Sequence, residues 1–346
     1  MTIQVISLDR PGAFRLATQP APEAPGPNEA LVRVHAVGVC GTDIHAFYGR
    51  QPFFEYPRIL GHELGVEIVA VGPNEAGLAP GDRCSVEPYL NCGACVACRQ
   101  GRTNCCVKLL TLGVHTDGGM RELIALPVNK LHRSAALSYE QLALVETLAI
   151  GCHAVNRAQL REGEWALVIG AGPIGLATMQ FAHLAGARVI ALDISPRRLE
   201  FCRAQGTADY LVEGGDGAPA EIERLTGGEM ATAVFDATGS LQSMARAFDY
   251  AAHTARITLV GLAQGDVSFH DPSFHRRELT INATRNAVAA DFRRIIDLIE
   301  RGRIDTQPWI THRATPRELV ADFEQWQRPE AGLVKAMVAM APEAGA

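Results

Sequence analysis

Cys40-Gly41-Thr42-Asp43-Ile44-His45 and, soon after, Gly61-His62-Glu63 gather a thiol, a hydroxyl, two imidazoles and two carboxylates into one short stretch of chain. A thiolate, an imidazole and a carboxylate can hold a zinc ion and still leave a coordination position open for substrate. Cys40 and His62 offer the first two, and Glu63 offers the third. Glu146 is a further candidate, because it lies in the apolar run Val145-Glu146-Thr147-Leu148, where an unpaired charge is costly and a metal would compensate it. Zinc held this way acts as a Lewis acid on an alcohol oxygen and lowers the alcohol's pKa. The proton released needs a route away. Thr42, two residues from Cys40, can accept it, and His45 can pass it to solvent because imidazole changes charge near neutral pH. Taken singly, a cysteine on a strand, an aspartate before a helix and a lone histidine are usually structural; it is their combination that points to chemistry.

The chain has nine cysteines, and several of them cluster. Cys92, Cys95 and Cys98 are followed by the pair Cys105 and Cys106, either of which could be the fourth member on spacing alone. Four thiolates complete a closed tetrahedral zinc shell with no room for substrate, so this second site reads as structural. Cys84, Cys152 and Cys202 are scattered and read as small buried hydrophobes.

A second chemical motif is Gly170-Ala171-Gly172-Pro173-Ile174-Gly175, which follows the apolar run Glu164-Trp165-Ala166-Leu167-Val168-Ile169 and opens a helical pattern. Asp193 follows at the spacing of about 20 residues that a dinucleotide fingerprint requires. Gly170 makes the tight turn, Gly172 admits the pyrophosphate to the backbone, and Gly175 lets helix pack on strand. The helix N-terminus offers free N–H groups and partial positive charge to phosphate. Asp193 suits a ribose 2′-hydroxyl and repels a 2′-phosphate, which favours NAD over NADP, although Arg197 and Arg198 close by are residues able to take a phosphate.

The elements that must position these groups fall into two textures. Residues 1–35 carry short apolar or alternating runs broken by Pro11, Pro20, Pro22, Pro25 and Pro27, and strands continue through Gly65–Gly72, with no helix expected before about Tyr139. From about Leu142 strands alternate with helices: Arg188–Leu192, a helix from Pro196 to Gln205, Ala233–Asp236, a helix near Leu241–Ala252, Arg256–Gly261, Leu279–Ala283 and a helix from Ala289 to Arg301. That alternation implies βαβ units and a parallel sheet, hence an α/β protein. Residues 310–340 read as mixed, ending in a strand. The 346 residues suffice for two domains, and a net charge of -6 gives no basic field for nucleic acid or anionic lipid. No apolar run is long enough to span a bilayer, and Met1–Pro11 lacks the pattern of a secretory signal, so the expected compartment is cytoplasmic.

In the order Cys40-Gly41-Thr42-Asp43, Gly61-His62-Glu63, the cysteine lobe, Gly118-Gly119 with Glu122, Glu146, Gly170–Gly175 and Asp193, the chain resembles the zinc-dependent medium-chain dehydrogenase/reductase family over essentially its whole length. The resemblance implies a GroES-like, β-rich catalytic domain from residues 1–143 and 287–346, with the zinc lobe at about 90–108, and a Rossmann doubly wound domain at 144–286. It implies two zinc ions per chain and NAD, with Cys40 and His62 on the catalytic zinc and Glu63 or Glu146 as third ligand. It selects Cys106 over Cys105 beside Cys92, Cys95 and Cys98. It also places Arg285 near the cofactor and substrate; Arg198, close to Asp193, is a further candidate cofactor contact. Glutamate at position 146 is similar to the polyol and sugar-acid branch, which includes sorbitol dehydrogenase, threonine 3-dehydrogenase and the hexonate 5-dehydrogenases, and the stretch from Cys40 to Gly49 and Tyr56 to Glu63 most resembles the L-galactonate or L-gulonate 5-dehydrogenases, which oxidise a secondary hydroxyl to a ketone. The alternatives are an L-threonine 3-dehydrogenase, a zinc-free quinone reductase of the same fold, and a non-catalytic nucleotide-binding homologue. The expected partners are a small-molecule substrate and further copies of the chain, as a homodimer or homotetramer. Tyr48, Phe53 and Phe54 are candidate pocket residues.

Overall fold

The computed structural model describes residues 1–51 and 54–340, so Phe53 lies outside the described residues. The chain divides into one unit of Met1–Glu146 with Val288–Ala346 and another of Thr147–Ala287, cutting the sequence a few residues from 143/144 and at 287/288.

The first unit is built on antiparallel strands. Its larger sheet runs in the order Leu131–Arg133, Arg83–Val86, Glu63–Val71, Glu29–Val39, Lys335–Ala339, Ile310–Ala314, and Leu123–Pro127 also pairs with Glu29–Val39. A three-stranded sheet of Ala13–Pro20, Thr2–Arg10 and Arg58–Ile59 closes over the same core, where Ile6, Val32, Leu64, Val66 and Phe323 are fully buried or nearly so. The C-terminal strand therefore lies against the strand that delivers Cys40: Ala336 pairs with Val39 and Met337 with Gly38. On its other side Gly38 pairs with Glu63. A Cβ on Gly38 would sit 2.0 Å from Glu63 Oε2, so only glycine admits that carboxylate.

The second unit is a six-stranded, wholly parallel sheet, ordered Tyr210–Glu213, Arg188–Asp193, Trp165–Ile169, Ala231–Asp236, Ala251–Leu259, Thr280–Ala283. This is the doubly wound order whose reversal point lies beside the first strand. The central strands are apolar because both of their faces are covered, and Trp165–Ile169 is buried at every position, whereas the edge strands Tyr210–Glu213 and Thr280–Ala283 are largely exposed.

Several elements differ from the sequence expectation. A helix spans Gly41–Phe47, well before Tyr139. It is too short to show a 3.6-residue apolar period, and it is nucleated instead by Asp43, which accepts a hydrogen bond from the Cys40 backbone N–H at 2.9 Å. A second short helix, Val96–Arg99, lies in the cysteine lobe. The helix at Leu241 ends at Arg246, and the strand that follows begins at Ala251. The strand Tyr210–Glu213 and the helices Ala218–Leu225 and Asp271–Arg276 were not anticipated. Neither was the helix Pro316–Trp326 within the segment read as mixed, although it carries a full capping box: Thr315 N–H donates to Glu318, and Glu318 N–H donates back to Thr315 Oγ1.

Candidate active site and metal centres

Cys40 ends the strand Glu29–Val39 and caps the helix Gly41–Phe47. Glu63 begins the neighbouring strand and His62 immediately precedes it, after Gly61, whose φ of +92° makes the turn at that point. Ligand atoms of Cys40, His62 and Glu63 all lie within 4.8 Å of one another, and His62 and Glu63 are buried. The His62 ring Nδ1 and Asp43 Oδ1 are 3.9 Å apart, and both are buried without a hydrogen-bond partner. Converging buried donors that leave polar atoms unsatisfied suit a cation of zinc type. Burial is the largest influence on His62 and opposes its protonation. The negative charges of Cys40 and Asp43 outweigh it and leave the imidazole pKa well above its ordinary value.

Glu63 has a partner that the sequence reading missed. Lys335 Nζ reaches its two oxygens at 2.6 and 2.8 Å and the Val39 carbonyl at 3.3 Å, with both charged side chains almost wholly buried. Burial pulls the Lys335 pKa down most, but Glu63 and then Cys40 outweigh it, so the ammonium is held above its ordinary range. The signal was present as one cation inside the apolar run Leu333–Val338.

Glu146 lies on the helix Tyr139–Ala158, buried, with the Tyr89 hydroxyl donating to Oε1. Burial pushes its pKa up against the pull of His62. It falls outside the three-residue group closed by Glu63. Thr42 is half-buried and His45 exposed, three residues apart on one helix and so neighbours on its surface.

In the cysteine lobe, Cys92, Cys95, Cys98 and Cys106 bring their sulfurs within 4.8 Å of one another, while the exposed Cys105 stays outside. The lobe is closed at its base by Tyr89–Leu90 pairing with Leu110–Thr111. Backbone N–H groups of Cys92 and Lys108 donate to the Cys106 sulfur at 3.2 and 3.4 Å and fix its position. Cys95, stabilised first by the Cys98 backbone, has its pKa lowered to about 6.

In the parallel-sheet unit, Gly170 has φ +93°, and a Cβ on Gly175 would stand 1.7 Å from the Gly170 carbonyl. Gly172 caps the helix Pro173–Leu184 with open space where its side chain would be, so Pro173 and Ile174 form the first turn facing that opening. These features fit a bound pyrophosphate. Asp193 is pinned at both oxygens, by Ala171 N–H at 2.6 Å and Ser195 N–H at 2.8 Å. Arg198 lies in the first turn of the helix Pro196–Gln205, and burial lowers its pKa. Arg285 is exposed after the last strand of this unit.

The comparisons agree with this architecture. Residues 26–136 match the alcohol dehydrogenase GroES-like domain, and residues 173–301 match the zinc-binding dehydrogenase domain. The chain belongs to the zinc-dependent medium-chain dehydrogenase/reductase family and is an oxidoreductase that works with zinc and a nicotinamide dinucleotide. Among its relatives is the L-galactonate-5-dehydrogenase of Escherichia coli K12, 41% identical over 87% of this chain and 88% of the relative. Another is the 2-dehydro-3-deoxy-L-galactonate 5-dehydrogenase of Pseudoalteromonas atlantica, 32% identical over 83% and 85%. The NADH complex of the alcohol dehydrogenase RspB from Escherichia coli CFT073 superposes with a TM-score of 0.90 at 28% identity, covering 98% and 99% of the two chains. No described helix is long and apolar enough to cross a membrane.

Proposed function

We propose that the protein oxidises a secondary hydroxyl of a sugar acid or polyol to a ketone, with NAD as acceptor. The observation that carries this reading is the 41% identity, over most of both chains, to an enzyme named for the 5-hydroxyl of L-galactonate. Cys40, His62 and Glu63 would hold the catalytic zinc, and Cys92, Cys95, Cys98 and Cys106 the structural one. Zinc held there would supply Lewis acidity toward a substrate oxygen, and bound NAD would supply hydride-accepting capacity. The chain's residues supply the rest. Thr42 takes the hydroxyl proton and His45, exposed on the same helix, delivers it to water. Glu146 stands beside the three ligands as a buried carboxylate that orients the substrate hydroxyl. Gly170, Gly172 and Gly175 with the first turn at Pro173 and Ile174 bind pyrophosphate. Asp193, already oriented by two backbone N–H groups, accepts from the adenosine ribose, with Arg198 and Arg285 as further cofactor contacts. In this division of labour the unit of residues 1–146 and 288–346 does the metal chemistry and residues 147–287 hold the nucleotide. The edge strand Thr280–Ala283 exposes Ile281 and one unpaired side of its backbone, which suits pairing with a second copy in a homodimer or homotetramer.

The test is a panel of L-galactonate, L-gulonate, other hexonates, polyols and L-threonine, each with NAD and NADP, followed by reduced-cofactor absorbance. Turnover of a hexonate or polyol with NAD is expected. Turnover of L-threonine alone would replace this reading with the amino-acid one.

A further inference from the structure

Tyr89 is 2% exposed and directs its hydroxyl onto Glu146 Oε1. The ring that carries this hydroxyl is braced from behind. Phe292 meets it edge-on, with centroids 6.4 Å apart, and stacks on His132 at 5.1 Å. His132 is tied to Glu87 at 3.2 Å, and Glu87 accepts from Lys130 Nζ at 2.5 Å. Glu87, Lys130, His132 and Phe292 are all buried. Glu87, Lys130 and His132 satisfy one another's charge and hydrogen bonds, as buried polar groups must, and such a satisfied cluster is rigid. What lies at the end of this train is one hydroxyl on one carboxylate. Meanwhile Glu63, not Glu146, lies within the compact group of donor atoms with Cys40 and His62.

We infer that Tyr89 is a positioning residue that holds Glu146 away from the catalytic metal, so that Glu63 completes the protein ligands and a coordination position stays open for substrate. The inference rests on the reading that Cys40, His62 and Glu63 bind that metal. A buried carboxylate that has lost its hydroxyl donor turns toward positive charge; His62 already acts on Glu146, and a metal held by His62 would add a stronger pull from the same side. A fourth protein ligand then occupies the place of substrate, as in a closed structural site. Phenylalanine at position 89 removes the hydroxyl and keeps the ring against Phe292.

The experiment compares Tyr89→Phe, Glu146→Gln, the double variant and Glu63→Gln, each loaded with cobalt at the catalytic site and zinc in the lobe. The readouts are the visible d–d spectrum, the rate of cobalt loss to a chelator, and L-galactonate oxidation with NAD. Tyr89→Phe is expected to shift the d–d bands while they keep tetrahedral intensity, slow cobalt loss and lower kcat about tenfold, the scale of one hydrogen bond to a charged group, with KM for NAD unchanged. In the Glu146→Gln background the same substitution should change none of the three. A wild-type spectrum and release rate in Tyr89→Phe, or a full effect persisting in the Glu146→Gln background, overturns the positioning role. If Glu63→Gln leaves cobalt binding untouched, the ligand set beneath the inference is wrong and the inference falls with it. Weakened binding in Glu63→Gln beside a silent Tyr89→Phe refutes only the role of Tyr89.

Discussion

Replacing Lys335 by methionine keeps most of the side-chain volume and removes the charge opposite Glu63. At 2.6 Å, and with the effective dielectric near 20 that suits such sites, the pair attracts by about 6 kcal/mol. Taking both ions out of water costs several kcal/mol each, so the intact pair contributes little net stability, whereas stranding one partner costs about 3–5 kcal/mol. Glu63 is 0% exposed and cannot turn to solvent. The metal-free Lys335→Met protein should therefore lose about 3–5 kcal/mol. Bound zinc supplies a new counter-charge to Glu63, so in the zinc-loaded protein the loss should shrink by at least about 1 kcal/mol, a fraction of the Coulomb attraction it restores. Lys335→Met with Glu63→Met should recover most of the stability, since no charge is then stranded. Urea unfolding followed by tryptophan emission reads this directly, because Trp309 and Trp326 both lie in the unit that holds the pair. An equal loss with and without zinc would refute the placement of Glu63 at the metal. A loss below about 1 kcal/mol, the level of an exposed pair, would refute the buried ion pair itself.

Three further outcomes follow from the same geometry. Zinc uptake at the Cys40 site should weaken as pH falls: without metal the His62 pKa is raised, zinc needs the neutral ring, and so below that raised pKa each ion bound must expel a proton. Titration calorimetry in buffers of different ionisation enthalpy checks this, and uptake without proton release would contradict it. After zinc removal, iodoacetamide should label Cys95 early, its pKa lowered to about 6, while the buried Cys84, whose thiol burial pushes up to about 12, should stay unlabelled until unfolding; peptide mass spectrometry gives the order. Asp193→Ser should raise kcat/KM with NADP and lower it with NAD, about tenfold or more in the ratio, because a fixed carboxylate is removed from where a 2′-phosphate would go. An unchanged ratio would mean that Asp193 only braces the glycine turn.

Much of this architecture was legible because its signals are local. The apolar run Trp165–Ile169, the glycines after it and Asp193 lie within a single βαβ unit, so a linear reading captures them together. The four cysteines are equally local, although spacing alone could not separate Cys105 from Cys106; the fold does so by turning one sulfur inward and the other out. The helix Gly41–Phe47 escaped notice because its seven residues are held by a cap rather than by a periodic apolar face. Lys335 and Tyr89 escaped for a different reason. Each acquires its meaning from a residue far away: sheet register brings Lys335 to Glu63, and a helix residue, Glu146, meets the strand residue Tyr89, so spacing reveals neither pair. Even so, a lysine within an apolar strand is a visible anomaly, and Thr315-Pro316-Arg317-Glu318 was a readable helix start.

The strand Lys335–Ala339 also sets an order of events. Glu63 and the lysine that neutralises it are separated by 272 positions. During synthesis Cys40, His62 and Glu63 emerge early, the whole parallel-sheet unit of Thr147–Ala287 emerges next, and only then does the strand arrive that lies beside Val39. Until it does, the Glu63 carboxylate has no counter-charge and the edge of the strand Glu29–Val39 that it will cover stands open. Metal and C-terminal strand are thus two answers to the same exposed charge, and a nascent chain meets the first of them while the second is still unmade.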